Sequence, residues 1–252
     1  QLNKTMLGSM MGAKYSGFYQ NSDNLVKMVL SLGTSLGTVM LPHMAAAFSK
    51  GDEDGMKRML YRSFDMISFL AVAMAFGVAA VGYKLAPFFY GQGFGPVGPA
   101  MMIESIVIVM ISWSNTIGQQ YLVPTNRMKD YTISVVLGSV INLIVNFLFI
   151  RLWGLDGAMW ATVLSETIVT GYQLVCTRKI FKWRQLFKNV PKYIIAGIAM
   201  FIPVFIMNVR LHPSVVTLSL EVLIGAVIYG GMIVLLRPTS LDFIFRSIKK
   251  RK

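Results

Sequence analysis

One cysteine, two histidines and eleven acidic residues in 252 positions leave this chain short of most catalytic equipment. A lone Cys176 can build no disulfide framework, and with only His43 and His212 beside it there is no metal-ligand spacing to find. The sequence contains no glycine loop to cradle phosphate, no His-Glu zinc motif and no nucleophile elbow. The chain is therefore read as a non-enzyme, with no cofactor and no metal. Charged residues are scarce as well, 14% against 55% hydrophobic, which excludes both disorder and an ordinary soluble domain. No gap between apolar stretches is long enough for a soluble domain, so a receptor, a glycosyltransferase or an ATP-driven pump is not expected.

What the chain has in quantity is long apolar stretches: Leu25–Phe48, Phe64–Tyr83, Val97–Val123, Tyr131–Leu152, Ala158–Thr177, Tyr193–Val209 and Ser214–Leu236. Each is about the ~20 residues a helix needs to cross the ~30 Å hydrocarbon core. Leu2–Gly12, which precedes them, is too short to span. With no initiator Met and no signal-like start, the chain reads as the later part of a longer protein. Its net charge of +13 is the second conspicuous feature. Lys50, Lys57, Arg58 and Arg62 fill one gap, Arg127 and Lys129 another, and Arg178, Lys179, Lys182, Arg184, Lys188 and Lys192 a third; six more lie in the tail. The alternate gaps hold only Lys14, Lys84, Arg151 and Arg210. Eighteen basic residues against four, in strict alternation, predict a multi-pass membrane protein whose basic face and C-terminus are cytoplasmic. Charge gathered on one membrane face calls for anionic lipid, and no nucleic-acid partner is expected.

Punctuation agrees with this topology. Leu85–Pro99 carries Pro87, Gly91, Gly93, Gly95, Pro96, Gly98 and Pro99, a composition that predicts a turn region. Pro124, Pro191, Pro213 and Pro238 sit at helix edges, whereas Pro42 falls inside a helix and should kink it. Along Lys179–Val190, Ile180, Trp183, Phe187 and Val190 follow helical spacing, which predicts an interfacial helix with its basic side chains towards lipid headgroups. Leu241–Ile248, followed by Lys249–Lys252, is a second such candidate.

Polar groups in hydrocarbon are costly and mark either a helix–helix contact or a functional surface. Glu166 is eleven residues from Leu155 and so ~16 Å deep at ~1.5 Å per residue. It is expected to hydrogen-bond structurally or to touch substrate. Asn142 and Asn146 share a helix face, and Ser112, Asn115 and Gln119 form an i, i+3, i+7 stripe. Glu104 and Glu221 lie ~10 Å inside their helices and could reach the outer interface. If the second helix starts at Leu25, Lys27 snorkels near the surface. If it starts at Gly17, Lys27 lies deeper, with Asp23 one turn away, and an ammonium there would suit a pyrophosphate. Lys4, beside Asn3, is a second candidate cation.

Three stretches resemble one family. Gly138–Asn146, then Trp153-Gly154-Leu155-Asp156-Gly157-Ala158 through Thr162 to Ser165-Glu166, is similar to the late-helix signature of bacterial polysaccharide flippases. These form the Wzx-type branch of the multidrug/oligosaccharidyl-lipid/polysaccharide exporter superfamily. Ser114-Asn115, Gly118-Gln119-Gln120, Leu122–Asn126 and Lys129 resemble its tenth helix and inner loop. Asn3–Gly8 and Ser16–Tyr19 resemble its seventh helix and the turn into the eighth, with Asn3 where the family carries an acid. The resemblance implies an all-α fold: the second six-helix lobe of a two-lobe flippase at 1–182, a cytoplasmic interfacial linker at 183–192, two additional helices at 193–236 and a basic cytoplasmic tail at 237–252.

The implied function is movement of undecaprenyl-pyrophosphate-linked oligosaccharide repeat units across the bacterial cytoplasmic membrane, for capsule, O-antigen or exopolysaccharide assembly. Asn115, Gln119, Asn142 and Asn146 would hydrogen-bond sugar, and Lys4 and Lys27 would face phosphate. Implied partners are the lipid-linked oligosaccharide, membrane lipids, a first lobe or a second copy of this one, and glycan polymerase or glycosyltransferases. Two rivals remain at this stage: an ion-coupled multidrug antiporter of the same superfamily, with Glu166 or Glu104 titrating, and a non-transporting helper in glycan assembly.

Overall fold

The computed structural model describes residues 2–238, with side chains for all of these except 34–39. The described elements are helices: α1 (Leu2–Met11), α2 (Ala13–Ser49), α3 (Glu53–Tyr90), α4 (Val97–Ile117), α5 (Met128–Thr177), α6 (Trp183–Leu186), α7 (Val190–Arg210) and α8 (Val215–Leu236). Their joints follow local chemistry. Gly12 adopts φ +98° between α1 and α2, where a side chain would be strained. Asp52 caps α3 by accepting from the Gly55 N–H at 2.8 Å, and Glu53 and Asp54 follow in its first turn, where acids suit the helix dipole.

α5 is a hairpin drawn as one helix. At its centre Gly154 takes φ +59°, ψ −124°, and the chain doubles back without a loop. A Cβ on Gly138 would fall 2.2 Å from Val169, Asn142 donates to Ser165 at 3.0 Å, and Gln173 donates to Ser134 at 3.0 Å. That is the register of two antiparallel arms meeting at Gly154. Gly157 is the tightest point: a Cβ there would lie 2.0 Å from the Phe149 carbonyl oxygen.

Among the described residues, five helical segments are long and apolar enough to cross a membrane, namely α3, α4 with its continuation, α5, α6–α7 and α8. Since α5 doubles back, these give six crossings. α2, at 37 residues, is ~55 Å long and spans by length, although its first half is polar. α1, with ten residues, reaches about half-way. The protein is an all-helical, multi-pass membrane protein.

The ends of these helices sort as the charge alternation requires. At one end Lys84 Nζ donates to the carbonyls of Val209 and Leu211, both at 2.6 Å. At the other, Arg127 donates to the Cys176 carbonyl, the Lys182 N–H to Tyr61 Oη, and Lys192 to the Arg237 carbonyl. Basic-rich and basic-poor gaps thus occupy opposite faces.

Three apolar cores hold the bundle. One joins α1–α5 towards the basic-poor face around Leu7, Phe18, Val26, Met101 and Met159. A second, at the basic face, gathers Leu60, Phe64, Tyr121, Phe181 and Leu186. A third docks α7 and α8 onto α3 through Val72, Tyr193, Met200 and Tyr229. Buried polar ties fasten the same seams. Asp65 accepts from Asn189 and from Tyr193 Oη at 2.8 Å, Tyr229 Oη donates to the Phe69 carbonyl, and Ser63 donates to Gln120 at 2.6 Å. Where hydrocarbon surrounds a helix, such bonds are worth ~0.6–2 kcal/mol each.

Several expectations are corrected here. The turn region begins later than Leu85, because α3 runs on through Pro87 to Tyr90. Pro42 is not the exception among prolines, since Pro203 also lies inside α7. The interfacial helix across Lys179–Val190 is replaced by the four-residue α6 in a docked loop. Phe181 and Leu186 turn into the second core, Trp183 is exposed and Val190 opens α7. Burying two large apolar groups in protein removed the continuous apolar stripe that the headgroup region would have received. The basic tail, including Leu241–Ile248, lies outside the described residues apart from Arg237 and Pro238.

Candidate functional site: the polar face of α1 and α2

α2 begins at Ala13, earlier than the Gly17 start that the deeper placement of Lys27 requires. Lys27 is fourteen residues, ~21 Å, along the helix. Its ammonium pairs with Asp23 at 2.8 Å, one turn back, and its side chain is 60% exposed while that of Asp23 is 15% exposed. An exposed charge this far along a membrane helix shows a face that the other helices of this chain leave uncovered among the described residues. Asn24 and Met28 are also exposed there.

Behind the pair lies Glu104 of α4. It is 1% exposed, accepts from Ser22 Oγ at 2.5 Å and sits within hydrogen-bonding reach of Asp23. Glu104 therefore does not reach the outer interface. Glu166, half-buried on the second arm of α5, feels the field of the same Lys27. Of the three acids on these helices, only Asp23 ion-pairs with the ammonium; Glu104 and Glu166 lie within its electrostatic reach. The i, i+4 spacing of Asp23 and Lys27 was readable in the sequence. The contact with Glu104, 82 residues away from Ser22, was not.

Nearer the basic-poor face, a cleft of about 650 Å³ opens between α1 and α2, lined by Lys4, Thr5, Ser16, Gly17, Gln20 and Asn21 among others. Gly8, Ala13 and Gly17 keep its walls low, and Lys4 is exposed in it. A concave, polar surface with one ammonium and several amide and hydroxyl groups has the chemistry to hold a hydroxyl-rich ligand.

The asparagines have a different place. Asn3 donates to Tyr19 Oη at 3.0 Å and to Thr162 Oγ1 at 2.8 Å. Asn146, fully buried, donates to Asn3 Oδ1 at 3.2 Å, and its own Oδ1 has no partner among the described residues. Asn142 is bonded to Ser165 across the hairpin. Asn3, Asn142 and Asn146 thus lie in one uncharged seam tying α1, α2 and both arms of α5. Tyr19 and Thr162 complete that seam, and neither was singled out in the sequence.

Of the expected stripe, Asn115 and Gln119 share a face, Gln119 donating to Asn115 at 3.2 Å from the π turn Gly118–Leu122. Ser112 is buried, Asn115 half-buried and Gln119 exposed. Glu221 is likewise enclosed at 1% exposure, accepting from Asn208 at 2.9 Å, and does not reach the interface.

Residues 1–99 match the model of a family described as polysaccharide biosynthesis protein. Over 237 residues the chain is 23% identical to the lipid II flippase MurJ of Bacillus subtilis, covering 90% of this chain and 43% of that protein. It is 24% identical to the probable flippase AglR of Haloferax volcanii, covering 91% and 48%. A solved structure of MurJ in an inward closed conformation superposes with a TM-score of 0.77 at 15% identity, over 96% of this chain and 50% of that one. These matches make the chain similar to flippases of the multidrug/oligosaccharidyl-lipid/polysaccharide exporter superfamily. It spans less than half the length of the curated relatives it matches. Its fold is the MurJ-type flippase fold, and the relatives named here are flippases rather than enzymes.

Proposed function

We propose that this chain is one lobe of a flippase for pyrophosphate-linked oligosaccharides on an isoprenoid carrier, an undecaprenyl-linked repeat unit for capsule, O-antigen or exopolysaccharide assembly. The observation that carries this reading is the open Lys27–Asp23 pair deep on the uncovered face of α2. A sugar head group with a pyrophosphate cannot cross bare hydrocarbon, because each hydroxyl and each charge would lose its water without compensation. A wetted face with a fixed ammonium replaces that water while the isoprenoid tail stays in lipid. Lys27 takes the pyrophosphate, displacing Asp23 from its side. Lys4, Gln20 and Asn21 take sugar hydroxyls in the cleft, and the opposing wall comes from a first lobe or a second copy. The basic face lies in the cytoplasm of a bacterial cell and the C-terminus with it, which makes the cleft the exit side.

A second reading draws on the acids. Asp23 paired with Lys27, and the buried Glu104 and half-buried Glu166 within its electrostatic reach, also suit a cation-exporting, ion-coupled antiporter. Complementation separates the two. A capsule-producing strain deleted for its own flippase receives this chain alone, or this chain with a matching first lobe. Surface glycan restored with the first lobe supports the flippase reading, and restoration by the chain alone adds that two copies suffice. Loss of glycan together with gradient-dependent efflux of a cationic dye overturns it in favour of the antiporter. Absence of both from correctly inserted protein points to a helper in glycan assembly.

A further inference from the structure

A second groove, of about 690 Å³, lies away from the polar face, between α4 and the two arms of α5. On the second arm, Thr162 and Ser165 turn towards α1 and the first arm, as their hydrogen bonds show. Asp156, Trp160, Leu164 and Thr167 line the groove on another side of that helix and are exposed. Ile103 contributes from α4, and Trp153, held edge-to-face on Phe149 at 5.0 Å, contributes from the first arm.

Three features define an occupant. The groove runs from Asp156 to Thr167, eleven residues or ~16 Å along the helix, about half of the ~30 Å core and so the depth of one leaflet. Its walls below the mouth are almost wholly apolar. Its mouth, at the basic-poor face, sets a carboxylate between two exposed tryptophans, and no lysine or arginine ion-pairs with Asp156 among the described residues. A carboxylate flanked by indole faces attracts an ammonium and repels an anionic headgroup. A primary ammonium also donates hydrogen bonds to the carboxylate, which a quaternary one cannot.

We infer that this groove binds an ammonium-bearing phospholipid of the phosphatidylethanolamine type in the leaflet at the basic-poor face, with its headgroup at Asp156 between Trp153 and Trp160 and one acyl chain along Ile103, Leu164 and Thr167. The site is separate from the face proposed to carry substrate, and it retains a membrane lipid without moving it.

The test is native mass spectrometry of the whole chain released from nanodiscs of equal parts phosphatidylethanolamine, phosphatidylcholine and phosphatidylglycerol with matched chains. Retained phosphatidylethanolamine is expected to exceed phosphatidylcholine by roughly 2- to 10-fold, the scale of the net hydrogen bond that only the primary ammonium donates, with phosphatidylglycerol lowest. Asp156→Asn keeps a residue suited to the start of a helix and should level the three lipids. Leu164→Trp fills the groove with Asp156 intact and should lower retention of phosphatidylethanolamine while leaving the elution profile of the folded protein unchanged. Equal retention of all lipids by the wild-type chain, enrichment of phosphatidylglycerol, or a phosphatidylethanolamine preference that survives both substitutions overturns the assignment.

Discussion

Two constellations in this molecule share their ingredients and differ in what surrounds them. Lys84, Asn208 and Glu221 join α3, α7 and α8; Lys27, Asp23, Ser22 and Glu104 join α2 and α4. In each a glutamate is 1% exposed and bonded to a neutral partner, Asn208 or Ser22. In the first, the lysine is spent: its ammonium donates to two carbonyls at the end of α7, and its backbone N–H reaches Asn208. In the second, the ammonium has one carboxylate partner and a 60% exposed side chain. A polar residue in a membrane helix is therefore read as a staple or as a functional surface by what its charged neighbour still has free, not by its depth or its type.

The sharpest way to break this comparison is to remove each lysine's charge. Lys27→Gln is expected to cut glycan export in the co-expression assay at least ~10-fold, the loss of a charge-assisted contact of ~1.5–3 kcal/mol. Its thermal stability should move by no more than ~1 kcal/mol, since an exposed pair contributes little to folding. An export loss matched by an equal loss of folded protein would make Lys27 a staple as well. Next in size, Asn208→Leu leaves the Glu221 carboxyl enclosed without its donor, and should cost about 1–3 kcal/mol in chemical or thermal unfolding. The double replacement Asn208→Leu with Glu221→Leu should recover part of that cost, and additive losses would contradict the pairing.

A smaller effect belongs to Tyr193→Phe. Its hydroxyl is one of the bonds to Asp65 that dock α7, so hydrogen exchange in the first turns of α7 should rise by the equivalent of ~0.6–2 kcal/mol. Smallest is Gln119→Ala. Its bond to Asn115 is exposed, and stability is expected to stay within about 0.5 kcal/mol. A fall in export with Gln119→Ala, at unchanged stability, would extend the functional surface from α2 onto the π turn.

What could be read in advance follows from the range of the interactions. Alternating basic gaps are summed over many residues, and they correctly placed Lys84 with Leu211 at one end and Arg127 with Cys176 at the other. The Asp23–Lys27 pair is local, four residues on one helix, and it was legible once α2 was allowed to start early. Failures came where packing overrides local pattern. Pro87 looks like a helix breaker, yet neighbouring helices hold α3 together through it. Ile180, Trp183, Phe187 and Val190 show an interfacial period, but burial of Phe181 and Leu186 in the core beside Tyr121 and Phe64 outweighed it. Ser112, Asn115 and Gln119 have a common spacing but run from buried to exposed, which the spacing alone does not show. Asn3, Asn142 and Asn146 have the residue type that suits sugar, and only their three-dimensional partners, Tyr19, Thr162 and Ser165, show them closed into a seam.

Water access to the two constellations is the most direct measure of that difference. In a Cys176→Ser background, Asn24→Cys, exposed on the same face as Lys27, and Asn208→Cys would each be exposed to a membrane-impermeant methanethiosulfonate in folded protein. Rapid labelling at position 24, slowed by lipid-linked oligosaccharide, and no labelling at position 208 are the expected results. A silent position 24, or labelling that substrate leaves unchanged, would contradict the assignment of the α1–α2 face as the substrate path.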